Sequence, residues 1–195
     1  MTAGGRASLL GVILAGGEGR RMHGADKGLQ LVGEQSLVAC VYAAMAPQVD
    51  EVMISANRNI EAYAAIAPTW RDRHTGFAGP LAGIEVALEV AADRWLATVP
   101  VDCPTPPADL VSRLHAALQD HPQARCAAVF DGERVQPLFA LYRDGLGDAA
   151  RRALRDNIGP WCWQREIGCV QVDFSDCRHA FRNLNSQAEL DDFKH

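Results

Sequence analysis

The chain has 195 residues, which is enough for one domain with a sizeable hydrophobic core, and we predict a single domain over residues 1–195. Hydrophobic residues make up 48% and charged residues 22% of the chain, values typical of folded globular proteins and not of disordered chains. The 24 acidic residues outnumber the 19 basic ones. This balance disfavours nucleic acid as a partner, because nucleic-acid-binding proteins usually carry a basic excess.

Neither the hydrophobic runs nor the cysteines indicate a membrane or an oxidising compartment. The longest apolar run, residues 38–46, is too short to span a bilayer. Residues 9–15 follow Arg6 as in a signal peptide, but Gly11 interrupts them and no convincing cleavage pattern follows, so we interpret them as a first strand. The six cysteines show no CxxC and no zinc-like spacing. We therefore predict a reduced, cytoplasmic protein with no membrane partner.

The predicted elements alternate between strand and helix along the first part of the chain. In chain order the patterns predict a strand over 9–14, a glycine-rich loop over 15–28, a helix over 36–46, a strand over 49–55, helices over 60–67 and 79–92, a strand over 95–101 and a helix over 106–119. Later patterns predict strands over 125–130, 135–142 and 168–174 and helices over 146–157 and 186–194. The alternation favours an α/β fold with a mostly parallel sheet, and the Asp131-Gly132 turn predicts an antiparallel pair at a mixed edge.

The loop after the first strand is rich in glycine and basic residues. Glycines allow the backbone to approach a ligand and to direct N–H groups at phosphate oxygens, and Arg20, Arg21 and Lys27 could neutralise a triphosphate. The loop is not a Walker A motif, since it lacks Gly-Lys-Ser/Thr, and Met22 stands where the dinucleotide fingerprint has its third glycine. On the residue types alone, a surface loop that binds no ligand is the alternative to a phosphate-binding loop.

A second candidate position is Asp102, at the end of the predicted strand 95–101. Ligands of open α/β sheets bind beyond the carboxyl ends of the strands, and Mg²⁺ is bound by one or two carboxylates together with substrate phosphates. The alternative is an Asp that caps a helix beginning near Pro106.

Together these segments are similar to a known signature. Leu14 to Gly17, Arg21-Met22, Gly24 and Asp26 to Gly28 match the LAGGxxxRMGGxDKG pattern of nucleotidyltransferases. Further matches follow in order: Ser55-Ala56-Asn57-Arg58, Asp72 ahead of Gly79-Pro80-Leu81-Ala82-Gly83-Ile84, Asp102-Cys103-Pro104, Pro137 to Leu141, and Asn183-Leu184-Asn185. Over nearly its full length the chain resembles the molybdenum cofactor guanylyltransferases of the MobA type.

The resemblance implies a fold and a reaction. The fold would be a Rossmann-like nucleotidyltransferase three-layer sandwich. The reaction would transfer GMP from GTP to the terminal phosphate of molybdenum-loaded molybdopterin, with Mg²⁺ as cofactor and pyrophosphate as leaving group. A protein that delivers molybdopterin and the molybdoenzymes that receive the product are the implied protein partners. The alternatives are a cytidylyltransferase or sugar-phosphate nucleotidyltransferase of the same fold, and a non-catalytic nucleotide- or cofactor-binding module.

The resemblance also implies roles for particular residues. The nucleotide would be bound by residues from four separate segments: Leu14, Ala15, Gly16, Lys27, Ser55, Asp72 and Asp102. Asp102 would also hold the metal, and Asn183 and Asn185 would lie near the pterin substrate. Ser55 stands where family members carry asparagine, and His23 where glycine is common.

A phosphate nucleophile is already anionic at neutral pH, so catalysis requires positioning and charge neutralisation and no side-chain nucleophile. Lys27, Arg21 and Asp102 are therefore the predicted catalytic residues. Asp72 could accept the N–H donors of guanine, with a surface ion pair to Arg71 or Arg73 as the alternative.

Four other features receive structural interpretations. Asp26 either orients Lys27, supports the metal or forms a turn. Trp161 and Trp163 are expected in a loop that packs its aromatic rings on the core, with a platform that stacks on the pterin as the alternative. Cys103 is expected to be a small buried hydrophobe. The three arginines of the 146–157 helix are expected on a solvated face: Arg151, Arg152 and Arg155.

Overall fold

The computed structural model describes residues 8–16, 26–73, 79–184 and 189. In chain order the strands are β1 (Leu9–Leu14), β2 (Leu31–Val32), β3 (Gln35–Ser36), β4 (Glu51–Ser55), β5 (Thr69–Trp70), β6 (Trp95–Pro100), β7 (Cys126–Phe130), β8 (Val135–Tyr142) and β9 (Cys169–Asp173). The α-helices are α1 (Leu37–Met45), α2 (Ile60–Ala64), α3 (Pro80–Ala91), α4 (Leu110–Asp120), α5 (Gly147–Arg155) and α6 (Pro160–Ile167). Short 3₁₀ segments cover Lys27–Leu29, Ala46–Gln48 and Ser175–Phe181.

Seven of the described strands form one sheet in the order β5-β4-β1-β6-β8-β7-β9. Strands β5, β4, β1 and β6 run parallel to one another, β8 is antiparallel to both β6 and β7, and β9 is parallel to β7. The prediction of a mostly parallel sheet with a mixed edge is therefore confirmed. Strands β2 and β3 form a separate small hairpin between the first loop and α1.

Side-chain alternation along the strands builds one core on each face of the sheet. Leu9 and Ile13 of β1 pack on the face covered by α1, α2 and α4, whereas Leu10, Val12 and Leu14 pack on the face covered by α3, α5 and α6. This arrangement is the predicted three-layer sandwich, because successive strand residues point to opposite faces. Every helix that the structure describes is too short or too polar to cross a membrane.

Local signals account for most of the element boundaries. The Ser36 hydroxyl accepts a hydrogen bond from the Ala39 N–H and caps α1, as its position predicted. Gly168, with φ of 89°, ends α6 before β9 begins. The predicted antiparallel pairing of 125–130 with 135–142 is confirmed, with a register shift between Ala128 and Val129.

Two predictions differ from the structure, and one strand was not predicted. The helix expected from 106 begins only at Leu110, because Pro106 and Pro107 precede a turn in which the Leu110 N–H donates to the Pro107 carbonyl. The loop expected around Trp161 and Trp163 is helix α6, which Pro160 opens at its first position. The two-residue edge strand β5 had too few residues to leave a pattern. The predicted final helix 186–194 lies almost wholly outside the described residues.

Candidate active site

The predicted site residues follow four neighbouring parallel strands at one edge of the sheet. Asp72 follows β5, Ser55 ends β4, Gly16 follows β1 and Asp102 follows β6. Backbone hydrogen bonds extend the pairing beyond the strands, since the Ala15 N–H donates to the Ser55 carbonyl at 2.8 Å and the Val101 N–H donates to the Leu14 carbonyl at 3.1 Å. The carboxyl ends of parallel strands are where α/β folds bind ligands.

Lys27 and Asp102 meet at one end of this row. Lys27 Nζ lies 3.0 Å from Asp102 Oδ2, although the two residues are 75 positions apart in the chain. Each side chain keeps about a fifth of its surface exposed (20% and 21%), so the pair is accessible to a ligand. The structure thus brings together two of the predicted catalytic residues.

Asp26 holds the chain next to Lys27 in place. Its Oδ1 accepts from the Tyr63 hydroxyl at 2.5 Å and from the Gly28 N–H at 3.3 Å, and its Oδ2 accepts from Asn59 Nδ2 at 2.9 Å. These bonds favour a positioning and turn-forming role for Asp26 over a role as metal ligand. Tyr63 is fully buried, and burial together with this hydrogen bond raises the pKa of its hydroxyl.

Gly28 permits this close approach. A Cβ at Gly28 would collide with the Tyr63 hydroxyl and would lie 3.0 Å from Val101 Cγ2. A side chain at this position would therefore push the Lys27 backbone away from β6.

Asp72 and Asn57 form a second pair at the other end of the row. Asn57 Nδ2 donates to Asp72 Oδ2 at 2.5 Å, and the Asp72 N–H donates to Asn57 Oδ1 at 3.1 Å. Among the described residues Asp72 forms no ion pair with Arg71 or Arg73, the predicted alternative, and Arg73 pairs instead with Glu89 at 2.7 Å. Asn57 was absent from the predicted site, although its place two residues after the end of β4 could have indicated it.

Ser55 contributes its backbone to the site and its side chain to the core. The residue is buried, and its hydroxyl lies where a Cβ on Gly83 of α3 would approach to 2.5 Å. The first turns of α3 therefore pack directly on the end of β4.

The C-terminal part of the described chain crosses the end of β6. The Leu184 N–H donates to the Asp102 carbonyl at 2.9 Å, and the Cys103 thiol donates to Asn183 Oδ1 at 3.1 Å. Cys103 is fully buried, as expected, and burial followed by the Asp102 charge raises the pKa of its thiol. Asn183 thus lies beside the Lys27–Asp102 pair, whereas Arg21 and Asn185 lie outside the described residues.

The arginines of α5 differ from one another. Arg152 and Arg155 are exposed, as a solvated face requires. Arg151 instead lies 3.0 Å from the buried Glu85 carboxylate and also pairs with Glu89 and Asp148, so the expectation of a plain solvated face is wrong for this residue. Trp163 of α6 is buried and stacks on Tyr142 at 5.4 Å between ring centroids.

Asp102 is suited to Mg²⁺ by its chemistry and accessibility. Its Oδ2 is paired with Lys27, and among the described residues its Oδ1 receives only a long contact from the Cys103 thiol at 3.9 Å. The described part of the chain contains no group of three or more metal-ligating side chains. One hard carboxylate oxygen beside a phosphate site nevertheless fits a metal that takes most of its remaining ligands from phosphates and water.

The fold and this row of strand ends define a nucleotidyltransferase, and comparison with known proteins identifies its family. The model of the MobA-like NTP transferase domain matches residues 11–170, and the chain belongs to that family, as its motifs predicted. Its relatives include molybdenum cofactor guanylyltransferases from Bordetella petrii, 42% identical over 192 residues (95% of this chain, 96% of the relative), and Pasteurella multocida, 41% identical over 182 residues (92% and 95%).

Solved structures agree on the fold. The molybdopterin-guanine dinucleotide biosynthesis protein A of Archaeoglobus fulgidus superposes with a TM-score of 0.75 at 20% identity, covering 95% of this chain and 96% of that one. The 2-C-methyl-D-erythritol 4-phosphate cytidylyltransferase of Thermus thermophilus gives a TM-score of 0.64 at 18% identity, covering 92% and 94%. One sheet architecture thus serves nucleotidyltransferases named for different products.

Proposed function

We propose that this protein transfers GMP from GTP to the terminal phosphate of molybdenum-loaded molybdopterin. The observation that carries the proposal is the Lys27–Asp102 pair at the end of β6, in one row with the Leu14–Gly16 segment and Asp72. Relatives at 41–42% identity over nearly the whole chain bear the name of this activity and support the choice of substrates.

The spacing of the row suits a nucleotide. Three strand intervals separate β5 from β6. At about 4.8 Å per interval they correspond to about 14 Å between Asp72 and Asp102. An extended nucleotide can bridge such a span with its base at Asp72, its ribose across the Leu14–Gly16 segment and its phosphates at Lys27 and Asp102. Gly16 is exposed, and its main-chain N–H is proposed to contact the nucleotide.

The proposed reaction is a displacement at the α-phosphorus of GTP. An anionic oxygen of the molybdopterin phosphate forms the new P–O bond, the bond from the α-phosphorus to the bridging oxygen breaks, and pyrophosphate leaves with that electron pair. Lys27 neutralises negative charge that grows on the leaving group, and Arg21 is proposed to assist it. Asn183 and Asn185 are proposed to line the acceptor side. The Asp26–Tyr63 bond keeps Lys27 at the end of β6.

Asp102 is the residue that would hold Mg²⁺. When bound, the ion supplies charge neutralisation at the phosphates. The family implies two further kinds of partner, a protein that delivers molybdopterin and the molybdoenzymes that receive the dinucleotide. The six cysteines are all free thiols, which supports a reducing, cytoplasmic location.

A competition assay tests the proposal. The protein is incubated with molybdate-loaded molybdopterin, Mg²⁺ and equal concentrations of GTP and CTP, and the dinucleotide product is identified by mass. We expect the guanine adduct and one pyrophosphate per product. A cytosine adduct would keep the chemistry and overturn the base assignment. Absence of any adduct, beside an active control enzyme, would overturn the proposed acceptor.

A further inference from the structure

Asn57 lies close to Gly16 and is hydrogen-bonded to Asp72. Its amide nitrogen lies 3.5 Å from where a Cβ on Gly16 would stand, and the same nitrogen donates to Asp72 Oδ2. The amide oxygen accepts from the Asp72 N–H, so two hydrogen bonds close a ring between the two residues. This ring fixes the side chain of Asp72 relative to the end of β4.

The ring leaves particular atoms available. Within residues 8–16, 26–73 and 79–184, Asp72 Oδ1 has no hydrogen-bond partner, and neither does the second hydrogen of the Asn57 amide. A carboxylate on the short segment after a two-residue edge strand has little else to fix its rotamer. Asn57 thus determines which oxygen of Asp72 is presented to a ligand.

We propose that Asn57 is a positioning residue that sets base selectivity through Asp72; this inference rests on the proposed function, in which Asp72 meets the guanine base. Guanine presents two neighbouring N–H donors, N1–H and the 2-amino group, to an acceptor oxygen. A fixed carboxylate discriminates against a base that lacks one of these donors, because the lone pair that faced the missing donor loses its hydration without a partner. A freely rotating carboxylate can turn back to water and discriminates less.

Of the residues that end β4, Asn57 and not Ser55 presents an amide to the site. The Ser55 side chain is buried against α3 and offers a hydroxyl in place of an amide. Asn57 supplies a side-chain amide from the same strand end, two residues further on. Selectivity is then a property of the Asn57–Asp72 ring as a unit.

The test compares GTP with inosine triphosphate, which differs only by lacking the 2-amino group. Dissociation constants of both nucleotides with Mg²⁺ are measured by calorimetry for the wild type, Asn57→Ala, Asp72→Asn and the double variant. Gln171→Ala, on the exposed far-edge strand β9, is the control. We expect the wild type to prefer GTP by about tenfold or more, the size of one hydrogen bond to a charged acceptor. Asn57→Ala should reduce this ratio towards one, and it should add nothing in the Asp72→Asn background, since both changes remove one unit.

Other results would overturn either this inference or the proposed function. Equal weakening of both nucleotides by Asn57→Ala, with an additive effect in the double variant, would overturn the inference and leave a structural role only. A wild type that makes the guanine adduct but binds both nucleotides equally would also overturn it, without touching the proposed function. A wild type that binds no GTP would instead overturn the proposed function. If Asn57→Ala does not fold, Asn57→Ser gives the same comparison, since its hydroxyl is too short to keep both bonds.

Discussion

Substitutions in the Lys27–Asp102 pair are expected to reduce catalysis strongly and to change stability little. Asp102→Asn and Lys27→Ala each remove one charge from a pair that is about a fifth exposed. We expect each variant to lose about 10²–10³ in turnover, the usual cost of one aimed electrostatic group. Stability should change by no more than about 1 kcal/mol, because a partly solvated ion pair contributes little.

Steady-state turnover and thermal melting of the two variants check this prediction. Arg94→Ala is a suitable control, since it removes one charge from a partly exposed ion pair with Glu51 at the opposite edge of the sheet, where β4 and β6 begin. Near-normal turnover in Asp102→Asn or Lys27→Ala would contradict the role given to that residue.

Some residues of the site were predicted from the sequence, whereas several of their contacts were not. Asp102 and Lys27 were predicted from a strand end and a signature, and the structure places them 3.0 Å apart. The position of Asn57 just after β4 was a usable signal, but its partner was not, because no local pattern shows that Asp72, after a two-residue strand, lies beside it. Likewise, the separation of Arg151 from Glu85 by 66 residues conceals that the two form a partly buried ion pair.

Helix α3 is positioned by one glycine. A methyl group on Gly83 would lie 2.5 Å from Ser55 Oγ and 3.1 Å from Leu14 Cδ2, so the helix would have to shift away from two strands that carry the site. We expect Gly83→Ala to destabilise the protein by about 1–3 kcal/mol despite the higher helix propensity of alanine. It should also weaken GTP binding, since Leu14 and Ser55 belong to the nucleotide end of the site.

Gly147→Ala in α5 is the matched control, because a Cβ at Gly147 meets nothing within 4 Å. Urea denaturation of both variants measures the difference in free energy of unfolding. Equal stability of the two variants would mean that α3 does not need close contact with the sheet.

The turn between β7 and β8 is stabilised by a buried carboxylate. Burial alone would raise the pKa of Asp131, but hydrogen bonds from the Arg134 and Glu133 N–H groups and the Gln136 amide hold it below its usual value. A pKa that is lower in the folded state gives stability that is present above the unfolded value and lost as the pH falls through the folded value.

Asp131→Asn should therefore destabilise the protein at neutral pH by about 1–2 kcal/mol, because asparagine cannot accept from Gln136 while keeping both backbone bonds. The difference from the wild type should shrink as the pH falls below about 3.9, the unperturbed value for aspartate. Urea midpoints of both proteins across this range check it, with Asp93→Asn, on an exposed turn, as control. A difference that is constant with pH would contradict a role for the charge.

At the level of elements, the amphipathic and apolar patterns predicted most of the strands and helices that pack on the two faces of the sheet. Strand β1 and helix α1 agree with their predicted ranges to within one residue at each end, because an apolar run and a serine cap are local signals. Helix α6 was not recognised, since Trp161 and Trp163 after Gly159-Pro160 are as typical of a packed loop as of a helix. Its burial against β8 is a long-range contact that no local pattern encodes.

Across the whole molecule, one sheet connects the nucleotide end with the later hairpin. Strand β6 lies at the junction, since it pairs in parallel with β1 and antiparallel with β8. Both core faces include residues from each half of the chain, such as Ile13 with Phe139 and Val12 with Tyr142. This sharing supports the prediction of a single domain, because neither half can bury its apolar face alone.

A single cooperative unfolding transition is therefore expected, and GTP with Mg²⁺ should move it as a whole. At a GTP concentration 100 times its dissociation constant, binding adds about 2.7 kcal/mol to the free energy of unfolding. For a protein of this size that corresponds to a rise in Tm of roughly 5–10 °C, at about 2–4 °C per kcal/mol. Scanning calorimetry measures both quantities, with Asp72→Asn expected to reduce the GTP-dependent rise. Two transitions, of which only one responds to GTP, would instead divide the chain into two domains and confine the nucleotide site to the first.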